Sequence, residues 1–200
     1  NPDFCANGEC DDGIFLGFLQ ETAAKMTEDT VIVLHQIGSH GPAYHVRYPD
    51  TYDVFQPSCQ TGEFKDCSTE EITNAYDNTI AYTDHILAQT IDFLDSQDRV
   101  LPSLIYASDH GESLGENGLF LHGAPYFMAP EFQTKVPMLI WMSDEYQSAF
   151  GIDDACLKAK VDLPISHDNW FHSILGMMDI QTEVRQDALD LFAGCRTPAP

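Results

Sequence analysis

The stretch Ser108-Asp109-His110-Gly111-Glu112-Ser113-Leu114-Gly115-Glu116-Asn117-Gly118 follows the apolar run Leu104-Ile105-Tyr106-Ala107. An apolar run that short, ending at a glycine-rich segment, reads as a buried strand that delivers its last residues to a loop. Asp109 and His110 therefore stand where a strand meets a loop. An oxygen and a nitrogen donor side by side suit a zinc ion, and Gly111, Gly115 and Gly118 let the backbone bend around whatever sits there. An isolated Asp-His pair is more often a loop turn with a hydrogen-bonded histidine, so the pair gains meaning only from what the rest of the chain brings to it.

Upstream, residues 12–27 place apolar side chains at Ile14, Phe15, Phe18, Leu19, Ala23 and Met26, a helical period that ends near Thr27. Val31-Ile32-Val33-Leu34 reads as a fully buried strand, and His35-Gln36-Ile37-Gly38-Ser39-His40-Gly41-Pro42 is a loop by its glycines and proline. From Ala43 to Lys65, Tyr, Pro, Asp and Thr recur without period, as in a long surface excursion pinned by Cys59 and Cys67. Ser68-Thr69-Glu70-Glu71 is a capping box. Ile72, Tyr76, Ile80, Thr83, Leu87, Ile91 and Leu94 then follow at helical spacing, which predicts a helix ending near Ser96.

Strand, helix, strand is a βαβ unit, so the runs at 31 and 104 are expected to be parallel with a right-handed crossover. The loops after both strands would then emerge on one edge of the sheet, where open α/β sheets bind ligands. That edge would hold His40 beside Asp109 and His110, and Leu119-Phe120-Leu121-His122-Gly123 brings a further histidine back over it. Val136-Pro137-Met138-Leu139-Ile140-Trp141-Met142 reads as a third buried strand. Helices are expected at about 143–150 and 167–178, with a short last one near 188–193. The fold class is α/β, and no internal repeat is visible.

Nine Lys and Arg against 32 Asp and Glu leave a formal net charge of −23. Such a surface argues against nucleic acid or a broad anionic partner, and any anionic ligand would need local cations or a metal. The same acidity also serves solubility or a saline environment. The six cysteines fall in short-range pairs that suit an oxidising compartment. They admit many pairings, of which the economical one is Cys5–Cys10, Cys59–Cys67 and Cys156–Cys195. A structural zinc site competes weakly, because no pair has C-x₂-C spacing. No run approaches the roughly 20 apolar residues of a membrane span, and no charged-then-apolar leader opens the chain. The start, Asn1-Pro2-Asp3-Phe4-Cys5, lacks a methionine and suggests part of a longer exported protein.

Gly38-Ser39-His40-Gly41-Pro42, the whole stretch from Ser108 to Gly118, and Leu121-His122-Gly123 closely resemble the catalytic domain of bacterial phosphoethanolamine transferases. These lipid A-modifying enzymes include the mobile colistin-resistance group. The similarity continues through Tyr76-Asp77-Asn78-Thr79 and Val136-Pro137-Met138-Leu139. The resemblance implies the alkaline phosphatase/sulfatase fold, a three-layer sandwich of mostly parallel sheet with helices on both faces. Residues 1–200 would form the C-terminal part of one such catalytic domain. It implies zinc as cofactor with Asp109 and His110 as ligands. His40 and His122 would line the substrate phosphate or a second metal, and Glu112 would be an active-site residue near them.

In that family a threonine nucleophile and a further acidic zinc ligand lie on segments before the point where this chain begins, after an N-terminal transmembrane region. Neither is present, so the 200 residues alone are expected to be inactive. The implied reaction moves phosphoethanolamine from phosphatidylethanolamine to a lipid A phosphate through a covalent phosphoenzyme, at the periplasmic face of the bacterial inner membrane, with polymyxin resistance as its consequence. Its partners would be those two lipids and the membrane, with no nucleic acid. Two other readings stand beside it: a phosphatase or sulfatase-type metal hydrolase, and an inactive fragment acting as a binding module. Within the chain Ser39, Ser108 and Ser113 are the candidate hydroxyl nucleophiles, although loop hydroxyls beside glycines are ordinarily turn formers. His35, His45, His85, His167 and His172 read as surface or packing residues. Tyr44, Tyr48, Phe55, Tyr126 and Phe127 read as core or loop packing in preference to a lipid seat.

Overall fold

The structure, a computed structural model, describes residues 4–6 and 9–197. In chain order its elements are β1 (Cys5–Ala6), β2 (Glu9–Cys10), α1 (Ile14–Lys25), α2 (Thr69–Asp95), β3 (Ser103–Ala107), β4 (Ser113–Leu114), β5 (Phe120–Leu121), α3 (Glu131–Thr134), β6 (Met138–Met142), α4 (Asp144–Phe150), α5 (Asp154–Lys158) and α6 (Asp168–Met177). They fall into two compact units. One runs up to Ser96 and takes in His110–Pro137, and the other joins Gln97–Asp109 to the chain from Met138 onward.

The first unit is built on α2. Ser68 caps it: the Ser68 hydroxyl accepts from the Glu71 amide and the Glu71 carboxylate accepts from the Ser68 amide, so two donors that the helix start leaves unpaired are satisfied. The buried face is Ile72, Ala75, Asn78, Thr79, Tyr82, Ile86 and Thr90. This stripe is not the apolar one that the spacing predicts, since Ile80 is 47% exposed. The polar members stay buried because each is paired. Asn78 Oδ1 accepts from the amides of Val54 and Phe55, at 3.0 and 2.8 Å, and its Nδ2 donates to Asp53. Those bonds draw in the segment expected to be a surface excursion. Tyr44 and Cys59 are buried with Ile72 and Ala75, with Phe64, Cys67, Tyr76, Leu114 and Leu121 packed around them. Tyr48, Tyr82 and Ile86 form a second cluster that takes in Leu16 of α1 and Tyr52. Burying side chains of this size contributes roughly 1.5–3 kcal/mol each.

Residues 31–34 depart from expectation, for they enter no ladder among the described residues. The extended pattern survives without the pairing: positions 31, 33, 35 and 37 are exposed and 32, 34, 36 and 38 half-buried. Val33 is 84% exposed. A strand is defined by backbone partners, and an apolar run without a neighbouring strand keeps the alternation but not the ladder.

In the second unit β3 pairs with β6 antiparallel, Ser103 opposite Met142 and Ala107 opposite Met138. This replaces the parallel pairing of the 104 run with the 31 run. The ladders among the described residues are all two-stranded and antiparallel. Helices α4 and α6 lie within about a residue of their expected bounds. The short helix expected near 188–193 is instead a run of turns. There the Asp190 carboxylate accepts from the Phe192 amide and the Ser173 hydroxyl accepts from the Leu191 amide, so side chains take the backbone donors that a helix would have used. All three expected disulfides are present: Cys5–Cys10, Cys59–Cys67 and Cys156–Cys195. Among the described residues no helix is long and apolar enough to cross a membrane.

Candidate functional site

Directly after His110 the backbone passes so close to α3 that a side chain is excluded. The Gly111 amide donates to Gln133 O at 3.0 Å, and a Cβ on Gly111 would lie 2.0 Å from Phe132 O. Glu112 follows, with only 3% of its side chain exposed. The β4–β5 hairpin then reverses the chain, with Ser113 opposite Leu121. Its turn is held from within, since the Glu116 carboxylate accepts from the Leu114 amide at 2.7 Å. Glu116 is thus a turn residue, and Gly115, Asn117 and Gly118 supply the positive φ the reversal needs. The hairpin brings His122 back beside Glu112, where His122 Nδ1 donates to Glu112 Oε1 at 2.7 Å.

That bond sets the histidine's tautomer. A carboxylate accepts only, so the neutral His122 ring carries its proton on Nδ1 and its lone pair on Nε2. On the other side the Tyr44 hydroxyl donates to Glu112 Oε2 at 3.3 Å. Burial, then the charge and hydrogen bond of Glu112, hold the Tyr44 phenol far above its ordinary pKa, so it remains a donor. Leu121, immediately before His122, has φ +62. A leucine there carries a local cost of about 1 kcal/mol, offset by its contact with the Tyr44 cluster.

His40 arrives from the other end of the first unit. Its carbonyl accepts from Arg47 Nε at 3.0 Å, and Nδ1 sits 2.7 Å from Gly41 O. The ring of His122 is edge-on to that of His40 at 5.5 Å between centroids, and 3.8 Å from that of His110. The three histidines that the sequence places on one rim do converge, although among the described residues no parallel sheet carries them. His110, Glu112 and His122 can present one donor atom each within 4.8 Å of one another. Two imidazoles and a carboxylate fit a divalent ion that takes nitrogen and oxygen ligands. Asp109, the preceding residue, is exposed at the end of the segment carrying β3.

A family profile, Sulfatase, matches residues 1–180. The chain belongs to the sulfatase family. It is 46% identical over 197 residues to phosphoethanolamine transferase EptA of Escherichia coli strain K12, covering 98% of this chain and 36% of that protein. It is 37% identical over 181 residues to phosphatidylethanolamine transferase Mcr-1 of Escherichia coli, covering 90% of this chain and 32% of the relative. The chain therefore spans about a third of the length of these relatives. Among solved structures, the soluble domain of lipooligosaccharide phosphoethanolamine transferase A from Neisseria meningitidis superimposes with a TM-score of 0.95 at 42% identity, over 99% of this chain and 60% of that one. The fold is of the sulfatase/alkaline phosphatase type.

Within this sulfatase-family chain the other candidates sort by contact. Ser113 is fully buried and accepts from Gln133 Nε2, and the Ser39 hydroxyl lies 2.6 Å from that of Thr79. The Thr79 hydroxyl also sits 2.6 Å from Tyr76 O, so its one proton goes there and Ser39 donates to it. Neither serine is poised as a nucleophile. His172 Nδ1 accepts from the Gln186 amide, a packing role, while His167 Nε2 reaches Ser108 O at 2.8 Å. Tyr44 and Tyr48 are core residues, but Tyr126 and Phe127 are 87% and 85% exposed, contrary to the packing expected of them. Sequence reasoning missed Tyr44 and Arg47 as supports of the site. Their only signal was nearness to His40, since an aromatic and a cation in a loop are ordinary.

Proposed function

We propose that the polypeptide to which this chain belongs transfers phosphoethanolamine from phosphatidylethanolamine to a phosphate of lipid A, at the periplasmic face of the bacterial inner membrane. The observation that carries this reading is the convergence of His40, His110, Glu112 and His122 in a chain 46% identical to a phosphoethanolamine transferase. In this reading the chain is the C-terminal part of one three-layer catalytic domain, and the nucleophile lies outside these 200 residues, as the engagement of Ser39 and Ser113 supports.

Asp109 and His110 would hold zinc, with Glu112 and His122 beside His110. When bound, zinc supplies positive charge where negative charge develops on the transferring phosphoryl group. His122, with Nδ1 fixed by Glu112, turns Nε2 toward the substrate, where it donates to a phosphoryl oxygen when protonated or takes a proton when neutral. His40, with its ring 5.5 Å from that of His122, does the same. In a strongly acidic molecule an anionic substrate requires local positive charge, which the bound ion would supply.

The test is release of diacylglycerol from fluorescent phosphatidylethanolamine by the natural full-length polypeptide, with lipid A as acceptor. Zinc-dependent release that falls about 100-fold or more in His122→Ala and His40→Ala is expected. Turnover of a sulfate ester with no release of diacylglycerol would instead assign the chain to hydrolysis, as its family profile allows. Zinc titration of Asp109→Ala, His110→Ala and Glu112→Ala separates the ligands, and unchanged affinity in Asp109→Ala and His110→Ala removes that pair from the metal site.

A further inference from the structure

A buried carboxylate outside the histidine cluster has a specific set of partners. Asp12 lies between the Cys5–Cys10 hairpin and the start of α1 and is 5% exposed. Its Oδ1 accepts from the Ile37 amide and its Oδ2 from the Gly38 amide, each at 2.9 Å. Two successive amides aimed at one point, the second on a residue with φ +52, form a backbone nest, a concavity that binds an anion. The anion here is supplied by the chain itself. The same turn ends on His40, whose amide donates to Ile37 O at 3.2 Å. Residue 37 is thus tied to Asp12 through its N–H and to His40 through its carbonyl.

We propose that Asp12 is a positioning residue for His40: its carboxylate fills the nest of the Ile37 and Gly38 amides and so sets where the His40 ring stands relative to His122. Arg47 braces the same turn through the His40 carbonyl. Burial raises the Asp12 pKa, and the two amide bonds and Arg47 oppose that rise. Keeping an acid in so dry a place is costly unless both oxygens are used, as they are here. An asparagine offers one acceptor and sets a donor against the other amide, so the requirement is for a carboxylate and not for a polar residue of that size.

The consequence for catalysis rests on the transferase reading above, and the experiment keeps the two apart. In the 200-residue chain, Asp12→Asn should move the amide signals of Ile37 and Gly38 and the ring signals of His40 in the NMR spectrum, with zinc affinity unchanged. In the full-length polypeptide it should lower kcat about 10- to 100-fold with KM within about twofold, the pattern of a misplaced group that acts in the transition state. Asp12→Ala should lose as much, and added formate, which can occupy the emptied nest, should restore part of it where chloride does not. Unmoved His40 signals with wild-type kcat in Asp12→Asn would overturn the proposal. So would the unfolding of both variants, which would make Asp12 a stability residue only. A wild-type polypeptide without transferase activity would defeat the functional reading alone, and the His40 signals would then decide this one.

Discussion

Glu112 divides its two oxygens between His122 and Tyr44, and this division gives it a different weight from either partner. Removing the Tyr44 hydroxyl leaves the carboxylate its bond to His122, and the phenyl ring still fills the core. Tyr44→Phe should therefore cost only about 1 kcal/mol of stability and leave most of the activity. Glu112→Gln keeps the volume but presents His122 with an amide that can turn either group toward it. The histidine tautomer is then no longer imposed, and activity should fall about 10- to 100-fold with little change in thermal midpoint. Thermal unfolding and kcat measured on both variants check the contrast, and equal losses of activity would show that Glu112 does not act through His122. At Gly111 the constraint is steric: the 2.0 Å approach to Phe132 O leaves no room for a methyl group, so Gly111→Ala must displace α3.

Helix α2 carries the first unit, and its start is the part most exposed to solution conditions. The Ser68 backbone and hydroxyl bonds hold the Glu71 carboxyl below its ordinary pKa of 4.5. Lowering in the folded state means that the unfolded chain takes up the proton first. The stability from this contact is fully present above pH 4.5 and is lost as the pH falls through the lower folded value. Ser68→Ala should cost about 1 kcal/mol at neutral pH, and the difference from wild type should shrink on acidification as the box opens in both. Urea midpoints at pH 7 and pH 3 measure this, and a constant difference would show that the capping box is not the source. Along the helix, Asn78 ties three residues of the 53–55 segment to α2. Tyr44, Tyr48 and Cys59 of the segment from Tyr44 to Cys67 lie in the core, although its only regular structure among the described residues is short 3-10 turns.

At the scale of the molecule, crosslinks and charge act in opposite directions. The Cys156–Cys195 bridge closes a separation of 39 residues, against 5 and 8 for the other two. Loop-closure entropy makes it the largest stabiliser, about 4 kcal/mol against about 2 for each short bridge. Cys156→Ser/Cys195→Ser should therefore lower the melting temperature most, and Cys5→Ser/Cys10→Ser least, in calorimetry under non-reducing conditions. The net charge of −23 opposes folding by self-repulsion. Screening relieves it, so the melting temperature should rise between about 0.01 and 0.15 M salt, as the Debye length shortens from about 30 to about 8 Å. A flat response would mean that the acidic groups are already spaced beyond mutual reach.

Local chemistry was readable directly. The Ser68–Glu71 box, the two short cysteine pairs and the glycine turn after Glu112 are each specified by residue types acting over a few positions, so their outcome follows from the chain itself. The partners were not readable. Whether an apolar run such as 31–34 joins a ladder, and whether 104–107 pairs with 138–142 antiparallel or with something else in parallel, depends on which backbone lies alongside, and side-chain pattern carries no address for that. The face of α2 was misjudged for the same reason: Asn78 and Thr79 are buried because partners distant in sequence satisfy them, while Ile80 lies largely in water. The bonds of Asp12 to Gly38 and of Tyr44 to Glu112 were invisible in the sequence, because only the folded chain brings those groups within reach. The sequence by itself determined which titratable and glycine-flanked groups the chain carries and in what order; the tertiary structure decided which of them come together and what holds them, because hydrogen bonds are made in space and not along the chain.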